Sequence, residues 1–175
     1  DADPDAIATA LGGTSLGPEP AQAWEHGRFD APYLRDSLLA AGALCETLET
    51  ATSWSNAATL KAAVTSALQS ALAETGTQSL VLCHISHIYP TGCSLYFTVV
   101  AAQRGDAVAQ WQQVKRAVSD AIMANGGTIT HHHAVGVDHR PWMTDEVGEL
   151  GVRVLRAVKN ELDPHGILNP GKLIP

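Results

Sequence analysis

Cysteine is scarce in this chain, and its spacing excludes the two frameworks that cysteine usually builds. Cys45, Cys83 and Cys93 are three residues with no Cys-x-x-Cys pair among them. Neither a disulfide scaffold nor a thiolate zinc site is expected, and all three read as reduced, mostly buried thiols of a cytoplasmic protein. Positive charge is also short: 11 Lys and Arg stand against 18 Asp and Glu, a formal net charge of -7. Nonspecific nucleic-acid binding needs a basic surface and is not expected. No apolar run approaches the ~20 residues of a membrane span. The start, Asp1-Ala2-Asp3-Pro4-Asp5, is acidic where a secretion signal is basic. Missing too are GxGxxG, GxxxxGK(S/T) and GxSxG, so whatever grips a cofactor's pyrophosphate is expected outside this chain. With no initiator Met, a processed chain or an excised piece is expected.

What is present suits an ordinary folded chain. Hydrophobic residues make up 45% and charged residues 17% of 175 residues, enough for one core or two small ones. Asp3-Pro4 opens a short helix that Gly12-Gly13 ends. Residues 14–29 are rich in Gly, Pro and charge and read as a loop. Helical pattern restarts at Asp30-Ala31-Pro32 and stops at Gly42. Residues 43–54 read as a strand, with Leu44, Glu46, Leu48 and Thr50 on alternate positions. Asn56 is expected to cap a helix striped by Leu60, Val64, Leu68 and Leu72. Residues 78–88 and 93–102 form strands joined by the turn Tyr89-Pro90-Thr91-Gly92. Asp106 caps a third long helix, whose buried face is Val108, Trp111, Val114, Val118 and Ile122. A last helix opens at Thr144 and turns Val147, Leu150, Val154, Val158 and Leu162 inward. Helix, strand, helix, strand, strand, helix, strand, helix is an α+β order, with helices covering a mainly antiparallel sheet in a ferredoxin-like split β-α-β pattern.

The candidate chemistry lies after the paired glycines Gly126-Gly127. A β-favouring run delivers His131, His132 and His133 before Gly136. If the run is extended, His131 and His133 share one face and His132 points to the other. Imidazoles with an unperturbed pKa near 6.5 can shuttle a proton or hold an anion. An expression tag is excluded by their place inside the chain, and no nearby Cys, Asp or Glu completes a metal set at familiar spacing. Tyr96 reads from spacing alone as an aromatic filling a sheet face. Arg35 reads as a surface cation paired with Asp36 or Asp30, though Arg is also the usual bidentate reader of a carboxylate or phosphate. His84 and His87, three apart in a strand, face opposite ways. Asn169 and Lys172 either touch a ligand or pin the terminus.

Taken together, Leu34-Arg35-Asp36, the strand Cys93–Phe97, the run Ala124–Gly136 and the tail Leu162–Lys172 resemble the C-terminal domain of FAD-linked oxidases. The triple histidine resembles the alkyldihydroxyacetonephosphate synthase (alkylglycerone-phosphate synthase) branch, while the Leu-Asn-Pro-Gly-Lys tail is closer to bacterial D-2-hydroxy-acid oxidases and dehydrogenases. The resemblance implies a cap domain of the vanillyl-alcohol-oxidase-like superfamily spanning residues 1–175, with FAD as cofactor and the FAD-binding domain missing. It implies a bacterial, cytoplasmic flavoprotein, with peripheral membrane contact and a homodimer among its associations. The synthases exchange the acyl chain of acyl-dihydroxyacetone phosphate for a fatty alcohol in ether lipid synthesis, without net redox. Carried over by position, Tyr96 and His131, His132 and His133 are catalytic. Arg35 meets the fatty-acid carboxylate, Asn169 and Lys172 contact the cofactor, and no metal is expected. Two other readings are an FAD-dependent oxidoreductase of a 2-hydroxy acid and a stand-alone interaction domain whose histidines bind metal.

Overall fold

The computed structural model describes residues 3–175 and divides after Ala41 into two compact units, the second being Gly42–Pro175. The first unit holds α1 (Pro4–Ala10), α2 (Glu19–Gly27) and α3 (Ala31–Ala40), none of which buries a side chain. Asp3 caps α1 by accepting from Asp5 N–H. Helix α2 replaces the loop expected over residues 14–29. Its prolines stand at the mouth of the helix, where a missing N–H costs nothing, so Pro20 starts the element that it was read as breaking.

The second unit is an α+β layer built on a three-stranded antiparallel sheet, β1 (Ala43–Ser53), β2 (Ser79–Ile88) and β3 (Gly92–Ala102), in the order β1-β3-β2. Strands β2 and β3 form the expected hairpin. Two long helices, α4 (Ala57–Glu74) and α5 (Ala107–Ala124), complete the core. The α4 stripe Leu60, Val64, Leu68 and Leu72 is fully buried against Leu95, Phe97 and Val99 of β3 and Val114 and Val118 of α5. Asp106 caps α5 by accepting from Val108 and Ala109 N–H. Val108 itself is exposed, since the inward face begins one turn later. Asn56 stands at the start of α4 but caps nothing. Its Nδ2 donates instead to Thr52 Oγ1 and to Asn125 C=O, tying α4 to the end of α5.

The histidine run is not a strand, contrary to the sequence expectation. It lies along the free edge of β1 through only two backbone bonds, Thr128 N–H to Ala51 C=O (3.0 Å) and His131 N–H to Glu49 C=O (3.1 Å). Three residues of the run span two of β1, so the pairing carries an extra residue and no regular ladder follows. The run still takes the place of the fourth strand in a ferredoxin-like order, beside β1 and away from β3. Helix α6 (Met143–Leu162) follows, with a left-handed Gly148 (φ 73°) breaking its first turns. Val147, Leu150, Val154, Val158 and Leu162 are all exposed, the reverse of the expectation, while Val152 is buried. The apolar stripe of α6 is single and strongly marked, so the 3.6-residue period locates the helix without saying which surface covers that stripe.

Candidate active site

Side chains alternate across the sheet, and the even residues of β3 face away from α4 and α5. On that face the register sets Glu49 of β1 opposite Tyr96 of β3, and Tyr96 opposite His84 of β2. Below this row Leu80 and Leu82 stand half exposed. Above it the histidine run closes over the end of the sheet. Gly127 makes that approach possible, because a Cβ there would meet Thr50 Oγ1 at 2.7 Å and Leu60 Cδ2 at 2.8 Å. Glu146, in the first turn of α6, then clamps the run by accepting from Thr128 Oγ1 (2.5 Å) and Ile129 N–H (2.8 Å).

The triplet is folded into a tight turn, in which His133 N–H donates to His131 C=O and His132 stands at φ +58°. Alternation therefore fails. The rings of His131 and His132 stack, with centroids 4.1 Å apart, and His133 turns its ring edge-on to Tyr96, at 5.8 Å and 85°. So Tyr96 and all three histidines meet at one site.

Its centre is a residue to which the sequence assigned no role, Glu49, only 5% exposed. His131 Nδ1 lies 3.3 Å from Glu49 Oε1, His87 Nδ1 3.6 Å from the same oxygen, and His133 Nε2 3.9 Å from Oε2. Ser86 Oγ donates to Oε1 at 2.5 Å and shares a further bond with Ser94 Oγ. Burial alone raises the Glu49 pKa, but the hydrogen bonds of Ser86 and Ser94 and the nearby His131 ring outweigh it and hold the carboxyl below its usual value. The His131 Nδ1 faces Glu49 Oε1 at 3.3 Å, a close contact short of a well-aligned hydrogen bond. The other ring nitrogen, Nε2, pairs with Tyr89 Oη at 3.0 Å.

His87 reaches the cluster through a β-bulge. Register slips between Ile85 and Ile88, so the consecutive residues Ser86 and His87 both address Glu49. Regular alternation had set His87 aside. The only available sign was the polar run Ser86-His87 ahead of a Pro-Thr-Gly turn. Ring nitrogens of His87, His131 and His132 lie within 4.8 Å of one another, a spacing that a cation can bridge, and Glu49 and Tyr89 already engage two of these rings.

The remaining expected residues lie elsewhere. Arg35 is in α3 of the first unit, its guanidinium 3.4 Å from Asp36, both side chains half exposed or more. Asn169 and Lys172 shape the C-terminal turn, with Asn169 at φ +46° and its C=O accepting from Lys172 N–H. That tail is tied back by Leu173 N–H to Gly136 C=O and by Arg140 Nη1 to Gly171 C=O. A cavity of about 520 Å³ lies apart from the histidines, between α5 and residues 137–142, lined by Trp111, Lys115, Arg116, Asp138 and Trp142.

A buried carboxylate ringed by imidazoles, with two phenols at the periphery, is a set of groups that can hold and pass protons, beside a sheet face on which Leu80 and Leu82 are exposed. Residues 6–173 match the family described as FAD linked oxidases, C-terminal domain, and the chain belongs to it. Within that class it is similar to alkyldihydroxyacetonephosphate synthases. It is 36% identical over 167 residues to that of Trypanosoma brucei brucei, covering 95% of this chain and 27% of the relative. It is 36% identical over 161 residues to that of Dictyostelium discoideum, covering 91% and 26%. A solved alkyldihydroxyacetonephosphate synthase structure superposes with a TM-score of 0.59 at 28% identity, over 90% of this chain and 24% of that one. The chain thus spans about a quarter of the length of these relatives. Family and branch agree with the resemblance read from the sequence. Both organisms are eukaryotes, so these matches give the bacterial expectation no support.

Proposed function

We propose that residues 1–175 are the substrate-facing cap of an FAD-dependent enzyme that replaces the acyl chain of acyl-dihydroxyacetone phosphate with a fatty alcohol. The observation that carries this reading is the convergence of Tyr96, His131 and His133 around the buried carboxylate of Glu49. The residues suit a flavin beside them: the sheet face next to the histidines presents Leu80 and Leu82, both more than half exposed, as an apolar surface for a flat ring. When bound, FAD supplies an electron-accepting ring at the substrate carbon. In this chain Tyr96 and the histidines hold and move the proton at that carbon. Arg35 reads the acyl carboxylate, and Asn169 and Lys172 hold the cofactor. No pyrophosphate motif is present, so the adenine and phosphates fall to the flavin-binding domain.

No helix among the described residues is long and apolar enough to cross a membrane. The exposed α6 stripe, Val147, Leu150, Val154, Val158 and Leu162, supports burial against another surface in the full-length protein. Our reading is a cytoplasmic enzyme with peripheral membrane contact, assembled as a homodimer.

The test is the absorption spectrum of the full-length enzyme on adding palmitoyl-dihydroxyacetone phosphate alone. Flavin bleaching that reverses with a fatty alcohol, yielding ether product without an electron acceptor, is expected. A flavin that ignores this substrate but is reduced by a 2-hydroxy acid would replace the transferase reading with an oxidoreductase. A colourless protein would overturn both.

A further inference from the structure

Glu49 is sheltered from water, yet no Lys or Arg pairs with it among the described residues. A carboxylate in that setting persists only with hydrogen bonds and opposite charge nearby. Ser86 and Ser94 supply the hydrogen bonds, and the His131 imidazole beside the carboxyl supplies a favourable electrostatic interaction. The groups that face it are His87 of β2, Ser94 and Tyr96 of β3, and His131 and His133 of the run, with Tyr89 and His132 just beyond.

Two arms leave this carboxylate. One runs from Oε1 to His131 and on to the Tyr89 phenol; the other runs from Oε2 to His133 and the edge of Tyr96. The first places an imidazole between a carboxylate and a phenolic oxygen, the order in which a carboxylate fixes the orientation of a ring that handles protons, and the second sets the His133 ring between Glu49 and the edge of the Tyr96 ring. Glu49 acts on the run through its backbone as well, since its C=O accepts from His131 N–H at 3.1 Å. The ladder between β1 and β3 fixes its position against Tyr96.

We propose that Glu49 is the positioning residue of this site, holding His131 and His133 in the orientations in which they serve Tyr89 and Tyr96. The assignment rests on the flavoenzyme reading above and adds a residue that works through the imidazoles without touching substrate.

The experiment compares Glu49→Gln and Glu49→Asp with the wild-type full-length enzyme. Glutamine keeps the shape and an acceptor oxygen but removes the charge. Expected for Glu49→Gln are unchanged flavin content, a KM for palmitoyl-dihydroxyacetone phosphate within about threefold, and a kcat lower by about 10²–10⁴-fold, the scale for an imidazole that loses its orienting carboxylate. Glu49→Asp should recover part of kcat. A Glu49→Gln enzyme with wild-type kcat would overturn the assignment. So would an equal loss in both variants that tracks lost flavin.

A wild-type enzyme inert toward this substrate would instead count against the transfer reading. Glu49 is then judged by ¹⁵N spectra of the histidine rings in the same full-length proteins. The His131 and His133 signals should change in Glu49→Gln while His84 stays in place, and unchanged spectra would overturn the proposal without any turnover.

Discussion

His132 occupies the left-handed region at φ +58°, which a non-glycine residue adopts at a cost of about 1–3 kcal/mol. The Glu146 clamp and the Thr130 Oγ1 bond to His133 C=O hold the turn in that shape. Strain of this kind gathers where side chains must be aimed, and here it aims three rings in directions that a strand cannot give consecutive residues. A second polar centre fixes the chain end. Asp163 accepts from Lys159 Nζ and from the N–H groups of Ile167 (3.0 Å) and Leu168 (2.9 Å). The Lys159 hydrogen bond, followed by these backbone donors, holds the Asp163 carboxyl below its usual range. Because the folded value is depressed, its contribution is present above the ordinary carboxylate pKa and is lost as pH falls through the folded one. Hydrogen exchange at the Ile167 and Leu168 amides, corrected for intrinsic pH dependence, should lose protection in that acid window. In Asp163→Asn it should be fast already at neutral pH.

Among the elements, α4 is the one on which the sheet depends. Its four stripe residues fall at i+4 intervals, and all are fully buried. Leu68→Ala would leave a cavity among Phe97, Val114 and their neighbours in a core that has no solvent to fill it. A loss of about 2–5 kcal/mol is expected, read as a lower urea midpoint with an unchanged m-value. A loss under 1 kcal/mol would mean that the α4–β3 packing is wrongly drawn. The hairpin answers to a different logic. Its bulge between Ile85 and Ile88 costs ladder bonds and in return brings Ser86 and His87 together to one carboxylate.

In the whole molecule, the two units differ in how much they bury. The second holds the hydrophobic core, whereas the helices of the first bury no side chain. Removing residues 1–41 should therefore leave a cooperatively folding chain whose thermal midpoint, followed by circular dichroism, lies within about 4 °C of the starting one. A collapse of the transition would assign the first unit a stabilising part that its exposure does not suggest.

Local patterns in the sequence determined the helices α1, α3, α4, α5 and α6, the three strands, the Asp106 cap, the family and the histidines themselves. Each follows from short-range preferences: the spacing of Leu60 to Leu72, an aspartate ahead of a helix, glycines where one ends. The facing of α6 needed more, since the period marks an apolar stripe and only packing decides what covers it. Glu49 and His87 were decided by tertiary structure alone. Glu49 is unremarkable as a letter in an alternating strand, and it becomes the centre of the site because β1 lies between β3 and a histidine run more than 80 residues downstream. Long-range pairing makes a buried charge affordable by bringing its partners to it, and no window along the chain contains those partners together.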